Sequence, residues 1–267
     1  MGLAYERRGS GPPLVLLHGV GHRRQAWDAV LYRLTPHRDV IAVDLPGHGE
    51  SPPLPANATP VLSLMLDQVT ALFDELGLDR PHIAGNSLGG RLALEAAVVR
   101  RASSVTALSP AGFWRSDRDA QYARAVFRVM EALGAILQPR AATLSRSTAG
   151  RALVYSVVIS RPSRMSPEQA RGDMAAFMAA RPAMHLVLAQ MTQFSGTVPA
   201  SIPVTVAWGT KDRLLPPRQV LVAKAALPRG RFLPRRSCGH VPMTDDPALV
   251  ADVVLQGSSR RLESHAS

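Results

Sequence analysis

A single cysteine, Cys238, stands among 267 residues, so no disulfide can close within the chain and no thiolate cage can hold a metal. That usage fits a reducing cytoplasm, the compartment expected here. Long apolar runs are missing too. No window approaches the roughly eighteen apolar residues of a membrane-spanning helix, and the opening MGLAYERRGSGPP has no apolar core like that of a secretory signal. Lysine is nearly absent, Lys211 and Lys224 being the only two, so arginine carries the net charge of +11. The basic residues are scattered through every segment and cluster only as short pairs such as Arg260 and Arg261, which argues against a nucleic-acid surface. Internal repeats and low-complexity tracts are also lacking. With 46% hydrophobic residues, a chain of this length can bury a sizeable core, most simply as one α/β domain with an insertion.

What is present is an alternation. Apolar, β-branched runs recur at Leu14 to His18, Val40 to Leu45, His82 to Ser87, Val105 to Ser109, Val204 to Trp208 and Arg231 to Pro234, each followed by turn chemistry. Helical patterns separate the early ones, at Gln25 to Leu34, Val61 to Leu76 and Leu88 to Arg100. Strands alternating with helices build a doubly wound, mostly parallel sheet covered on both faces. In such sheets ligands collect beyond the carboxyl ends of the strands. The dozen or so residues before Leu14 leave room for one further strand.

The alternation stops between residues 111 and 202, where helices are predicted, for example over Asp117 to Leu137 and Pro167 to Phe194. This reads as a helical cap inserted between two parts of a core, 1–110 and 203–257, with a loose polar tail over 258–267. Phe127, Met130, Met174, Phe177, Met178, Met184 and Met191 could line an apolar pocket under the cap or pack its helices together.

Chemistry concentrates at Gly85-Asn86-Ser87-Leu88-Gly89, a G-x-S-x-G turn running from a strand into a helix. Such an elbow holds the serine in a strained conformation that displays its hydroxyl, and the flanking glycines avoid collisions across the turn. A serine hydroxyl is a weak nucleophile until a base takes its proton, and the base needs an acid behind it. Downstream histidines are His185, within the insertion, His265, in the tail, and His240, in the loop CGHVPMTDDP after the last strand. His240 is the expected base. Asp212, in the loop of VAWGTKDRLLP, is preferred as the acid over Asp117, Asp245 or Asp246, since it follows a strand end. Acyl chemistry also needs donors for a developing oxyanion, each worth on the order of 3 kcal/mol. The backbone N–H of Leu88 and that of Val20, in LLHGVGHRRQAW, are the expected pair. His18 is expected to hold backbone, Asp44 to organise its loop and Cys238 to pack. Gly21 and Val241 complete the expected substrate contacts.

Four motifs together make the chain resemble the α/β-hydrolase family: LVLLHGVG with the loop VDLPGHGES, the elbow GNSLGG, the acid loop WGTKD and the histidine loop GHVPMTDDP. The resemblance spans Leu3 to Leu255, apart from the insertion, which corresponds to the family's variable cap. It implies an α/β fold, a catalytic triad of Ser87, Asp212 and His240, an oxyanion hole from Val20 and Leu88, and no cofactor or metal. It further implies a serine hydrolase acting on an ester, thioester or lactone of an apolar small molecule. Serine at 87 excludes the epoxide-hydrolase and haloalkane-dehalogenase pattern, which has aspartate there. The His-Gly-x-Gly turn and the Gly-Asn-Ser-x-Gly-Gly form are similar to hydrolases of carbon–carbon bonds in aromatic ring-fission products, although those carry tryptophan where this chain has Val241. A catalytically silent binding protein of the same fold is the third reading.

Overall fold

Strand formation follows from parity. In the computed structural model, which describes residues 2–259, the strands are β1 (Tyr5–Gly9), β2 (Pro13–Leu17), β3 (Asp39–Val43), β4 (His82–Asn86), β5 (Ser104–Leu108), β6 (Val204–Gly209) and β7 (Arg231–Arg235). They form one sheet in the order β1-β3-β2-β4-β5-β6-β7, with β1 antiparallel to β3 and the other pairs parallel. Successive side chains point to opposite faces. Leu14, Leu16, Val40, Ala42, Ala84 and Ala207 therefore enter one core, while Val15, Leu17, Ile41, Val43, Ile83 and Val206 enter the other. Strands buried on both sides cannot alternate polar with apolar, which is why β2 to β6 read as nearly continuous hydrophobic runs. The edges are marked differently: β1 is largely exposed, and β7 carries Pro234, tolerable at an edge where one row of N–H groups has no ladder partner.

Helices α1 (Asp28–Leu34), α2 (Val61–Glu75) and α3 (Leu88–Val98) alternate with the first strands, much as the periodicity predicts. The expected helix from Gln25 begins instead as a 3₁₀ turn, Arg24–Trp27. Between β5 and β6 come α4 (Asp117–Leu137), α5 (Ala141–Arg146), α6 (Thr148–Tyr155), α7 (Pro167–Ala179) and α8 (Arg181–Gln190), and no strand. The single helix expected over Pro167 to Phe194 is in fact two. Pro182 lacks the N–H that would continue α7 and sits in the first turn of α8, where a missing donor costs nothing. Phe194 lies beyond α8, its ring 5.5 Å from that of Phe113. α7 starts where Ser166 accepts the Gln169 N–H at 3.0 Å and Pro167 takes the first helical position.

α9 (Val220–Ala226), α10 (Pro242–Asp245) and α11 (Pro247–Ser258) complete the chain. α11 packs on α1, with Val250, Val253 and Val254 joining Trp27, Val30 and Leu34 in one core. This corrects the expected start of the tail: Ser258 is a buried helix residue, and Arg38 Nε donates to its Oγ at 3.1 Å. The remainder of that segment, with Arg260, Arg261 and His265, lies outside the described residues. No helix among the described residues is long and apolar enough to cross a membrane.

Candidate active site

Ser87 follows β4 with φ 54° and ψ −112°, a region that a serine occupies only when its surroundings impose it. The imposing contacts are backbone ones. Ser87 N–H donates to Leu108 O at 2.9 Å, its carbonyl accepts from Arg91 and Ala111, and Gly89 N–H donates to His18 O at 3.1 Å. A Cβ at Gly85 would strike the backbone of Gly89, and one at Gly89 would strike the Leu17 carbonyl and lie 2.6 Å from His18 O. The elbow is therefore wedged between β2 and β5, with its hydroxyl left over. Among the described residues neither Val20 N–H nor Leu88 N–H has an acceptor, and both residues adjoin Ser87.

Asp212 and His240 are brought together from the loops after β6 and β7. Lys211 N–H donates to Cys238 O at 2.9 Å, and the missing side chain of Gly209 lets the two loops touch, since a Cβ there would lie 2.6 Å from Cys238 O. Asp212 Oδ1 accepts from Leu214 N at 3.0 Å and Leu215 N at 2.8 Å, while Oδ2 is 2.8 Å from His240 Nδ1. A carboxylate in this setting accepts only, so Nδ1 carries the proton and Nε2 presents a lone pair. Both side chains are buried. Ser87, His240, Val20, Gly21 and Val241 all border one cavity of about 440 Å³, covered by Phe127 of α4 and Phe177 of α7. Among the described residues, Ser87 Oγ makes no hydrogen bond to a protein group and faces the same cavity as His240.

The remaining residues singled out in the sequence sort themselves by contact. Gly21, at φ 72°, lets Phe177 close over the loop; a Cβ there would be 2.7 Å from its ring. Val241 N–H is tied to Val158 O at 2.9 Å. Met130, Met174, Phe127 and Phe177 border the cavity, Met191 borders a second chamber of about 30 Å³ beside Ser87 and Leu88, and Met184 is a core residue. His18 receives Leu45 N–H on Nε2 at 2.9 Å, so its Nδ1 donates to Gly19 O at 2.8 Å. Asp44, fully buried, accepts from Arg24 N–H and from its guanidinium, and from Glu50 N–H at 3.0 Å. Cys238 is buried, which with nearby Asp245 pushes its thiol up to about 11. His185 is exposed and pairs with Glu131 at 2.8 Å. Among the described residues no three of His, Cys, Asp and Glu gather as metal ligands.

Two positioning residues escaped the sequence reading. Asn86 Nδ2 donates to Leu108 O at 3.1 Å and to His240 O at 2.9 Å, joining the elbow to the histidine loop. Asp245, weighed only as an alternative acid, accepts from Gly239 N–H at 2.7 Å, Ser160 N–H at 3.1 Å and Arg161 N–H at 2.6 Å. It ties the backbone beside His240 to the segment between α6 and α7. Asn86 lies inside a recognisable motif, but nothing local to Asp245 marks its three partners.

Buried histidines below the site make the fold acid-sensitive. Desolvation pushes His48 down to about 4, against the opposing pull of its bond to Pro46 O, and pushes His18 well below the ordinary value. The unfolded chain therefore binds more protons than the folded one below the usual 6.5, and stability falls as pH drops from there toward 4. His48 alone contributes a loss on the order of 3 kcal/mol over that window. Melting temperatures of the protein and His48→Asn between pH 7.5 and 5 check this: the variant's slope is expected to be shallower, and equal slopes would refute it.

A family model described as Alpha/beta hydrolase family matches residues 14–253. An uncharacterized protein of Mycobacterium tuberculosis is 29% identical over 266 residues, covering 94% of this chain and 76% of that one. A pimeloyl-[acyl-carrier protein] methyl ester esterase of Aeromonas hydrophila is 27% identical over 265 residues, covering 95% and 98%. Among solved structures, a thermophilic esterase from Thermogutta terrifontis superposes with a TM-score of 0.72 at 23% identity, covering 95% and 92%. A model match over nearly the whole length, on a sheet whose strand ends carry the motifs from which the resemblance was drawn, shows that this chain belongs to the alpha/beta hydrolase family.

Proposed function

We propose that the protein is a cofactor-independent serine hydrolase that cleaves an ester, thioester or lactone of an apolar small molecule through an acyl-enzyme on Ser87. The observation that carries this reading is the meeting of Ser87, the Asp212-oriented His240 and Val20 at a single, mostly carbon-lined cavity, with the N–H groups of Val20 and of the adjoining Leu88 unengaged among the described residues. His240 Nε2 takes the Ser87 proton as Oγ attacks the carbonyl carbon, and the oxygen that gains charge lies toward the N–H groups of Val20 and Leu88. His240 returns the proton to the leaving group. A water then attacks the acyl carbon with His240 again as base, releasing the acid and free Ser87. The helices between β5 and β6 act as a cap that excludes water and selects the acyl chain. Pimeloyl-[acyl-carrier protein] methyl ester esterases among the relatives support an acyl substrate.

Turnover of p-nitrophenyl octanoate tests the reading. The protein is expected to release p-nitrophenol and to be labelled at Ser87 by a fluorophosphonate, and Ser87→Ala is expected to do neither. Equal rates in the two proteins would sink it. Bleaching of a yellow ring-fission diketone without ester turnover would move the scissile bond to carbon–carbon, and ligand binding with neither activity would make the protein a receptor.

A further inference from the structure

One carboxylate in the cavity is out of keeping with the rest of its lining. Asp173, on α7, borders the chamber among Met174, Phe177 and Tyr155, is only 3% exposed, and has no hydrogen-bond partner for either oxygen among the described residues. Its nearest basic neighbours make no hydrogen bond to it: His22 Nε2 stands at 3.5 Å and Arg23 Nε at 3.6 Å. Arg23 Nε is itself buried and unpartnered among the described residues. The cluster is built into the backbone, because Arg23 rests on Gly172 where a Cβ would overlap its guanidinium. Buried acceptors and donors of this kind carry a desolvation penalty until something bonds to them.

We infer that Asp173, with His22 beside it, is a polar subsite that accepts a hydrogen bond from a hydroxyl group on the otherwise apolar substrate. A neutral hydroxyl fits better than an ammonium or a carboxylate. The Arg23 guanidinium offsets the charge of the Asp173 carboxylate beside it, so the pair presents strong bonding capacity with little net charge. His22 also borders the cavity and can donate to or accept from the same hydroxyl. The substrate class is thus narrowed to a hydroxylated apolar acyl compound, its ester placed at Ser87 and its hydroxyl at α7. This deepens the serine-hydrolase reading and rests on it for turnover, though not for binding.

The test compares p-nitrophenyl alkanoates of six, eight and ten carbons with their terminally hydroxylated counterparts, and methyl octanoate with methyl 8-hydroxyoctanoate as ligands of Ser87→Ala in calorimetry. The expected result is that kcat/KM favours the hydroxylated ester about tenfold or more at one chain length, since a hydrogen bond to a charged group is worth at least that factor. Asp173→Ala and the isosteric Asp173→Asn are expected to pull that ratio toward one. If Asp173 merely latched α7 to the loop after β2, substitution would lower both esters alike and leave the ratio standing, and that would overturn the inference. So would the absence of any hydroxyl preference in both turnover and binding, whether or not the variants fold. Tighter binding of the hydroxylated ester by Ser87→Ala, in a protein that hydrolyses nothing, would support this subsite while overturning the hydrolase reading.

Discussion

Asp212→Asn is expected to fold and to lose about four orders of magnitude in kcat on p-nitrophenyl octanoate, the scale of effect when a triad histidine is held in the wrong tautomer. Geometry decides which way the new amide points. Oδ1 receives two backbone N–H groups, from Leu214 and Leu215, and an NH₂ cannot take its place there without facing two donors. The NH₂ is therefore driven toward His240 Nδ1, now 2.8 Å from Oδ2, and a donor at that position requires Nδ1 to give up its proton. The proton moves to Nε2, the atom that must be free to deprotonate Ser87. Steady-state kinetics beside a thermal melt separate this from unfolding. A loss below tenfold with an unchanged melting temperature would remove Asp212 from the mechanism.

Gly89→Ala is expected to be the most damaging single methyl group in the chain. The added carbon falls on the Leu17 carbonyl and 2.6 Å from His18 O, and all of these are backbone atoms of β2 and its exit loop, with no rotamer by which to yield. Relief requires moving the start of α3 away from the sheet, which breaks the Gly89 N–H bond to His18 O and displaces the Leu88 N–H. A loss of at least about 4 kcal/mol is the scale of such a clash, or a drop of roughly 10 °C or more in melting temperature for a domain of this size. Differential scanning calorimetry measures it. Gly77→Ala is the comparison: φ is 67° there, whereas Gly89 lies outside the left-handed region, and nothing stands within 4 Å of the carbon added at 77, so only backbone strain is felt and the drop is expected to be small. Equal drops would show that the backbone at the elbow yields to the added carbon, and would refute the collision argument.

The readable parts of the sequence were those where one local requirement leaves few residue choices. A doubly buried parallel strand needs a continuous apolar run, so β2 to β6 were visible as such, β7 was read from a shorter run at Arg231 to Pro234, and the elbow needs small residues at 85 and 89 whatever the substrate. Loop aspartates are less distinctive. Asp212 was found through its place after β6, whereas Asp245, one residue before the helix cap that Asp246 provides, stood out only as an alternative acid. The break between α7 and α8 was hidden because helical periodicity continues through Ala180 and only Pro182 signals a new first turn.

Local chemistry along the chain was thus enough to specify the sheet, its two covering layers and the three residue types at the strand ends, since each depends on periodicity or on backbone sterics that neighbours in sequence set. The bond from Asn86 to His240, the clamp of Asp245 on the segment after α6, and the unbonded carboxylate of Asp173 on α7 were decided only in three dimensions. Their partners lie far off in the chain, and a polar side chain carries no mark of which distant backbone group, or which empty space, folding will set against it.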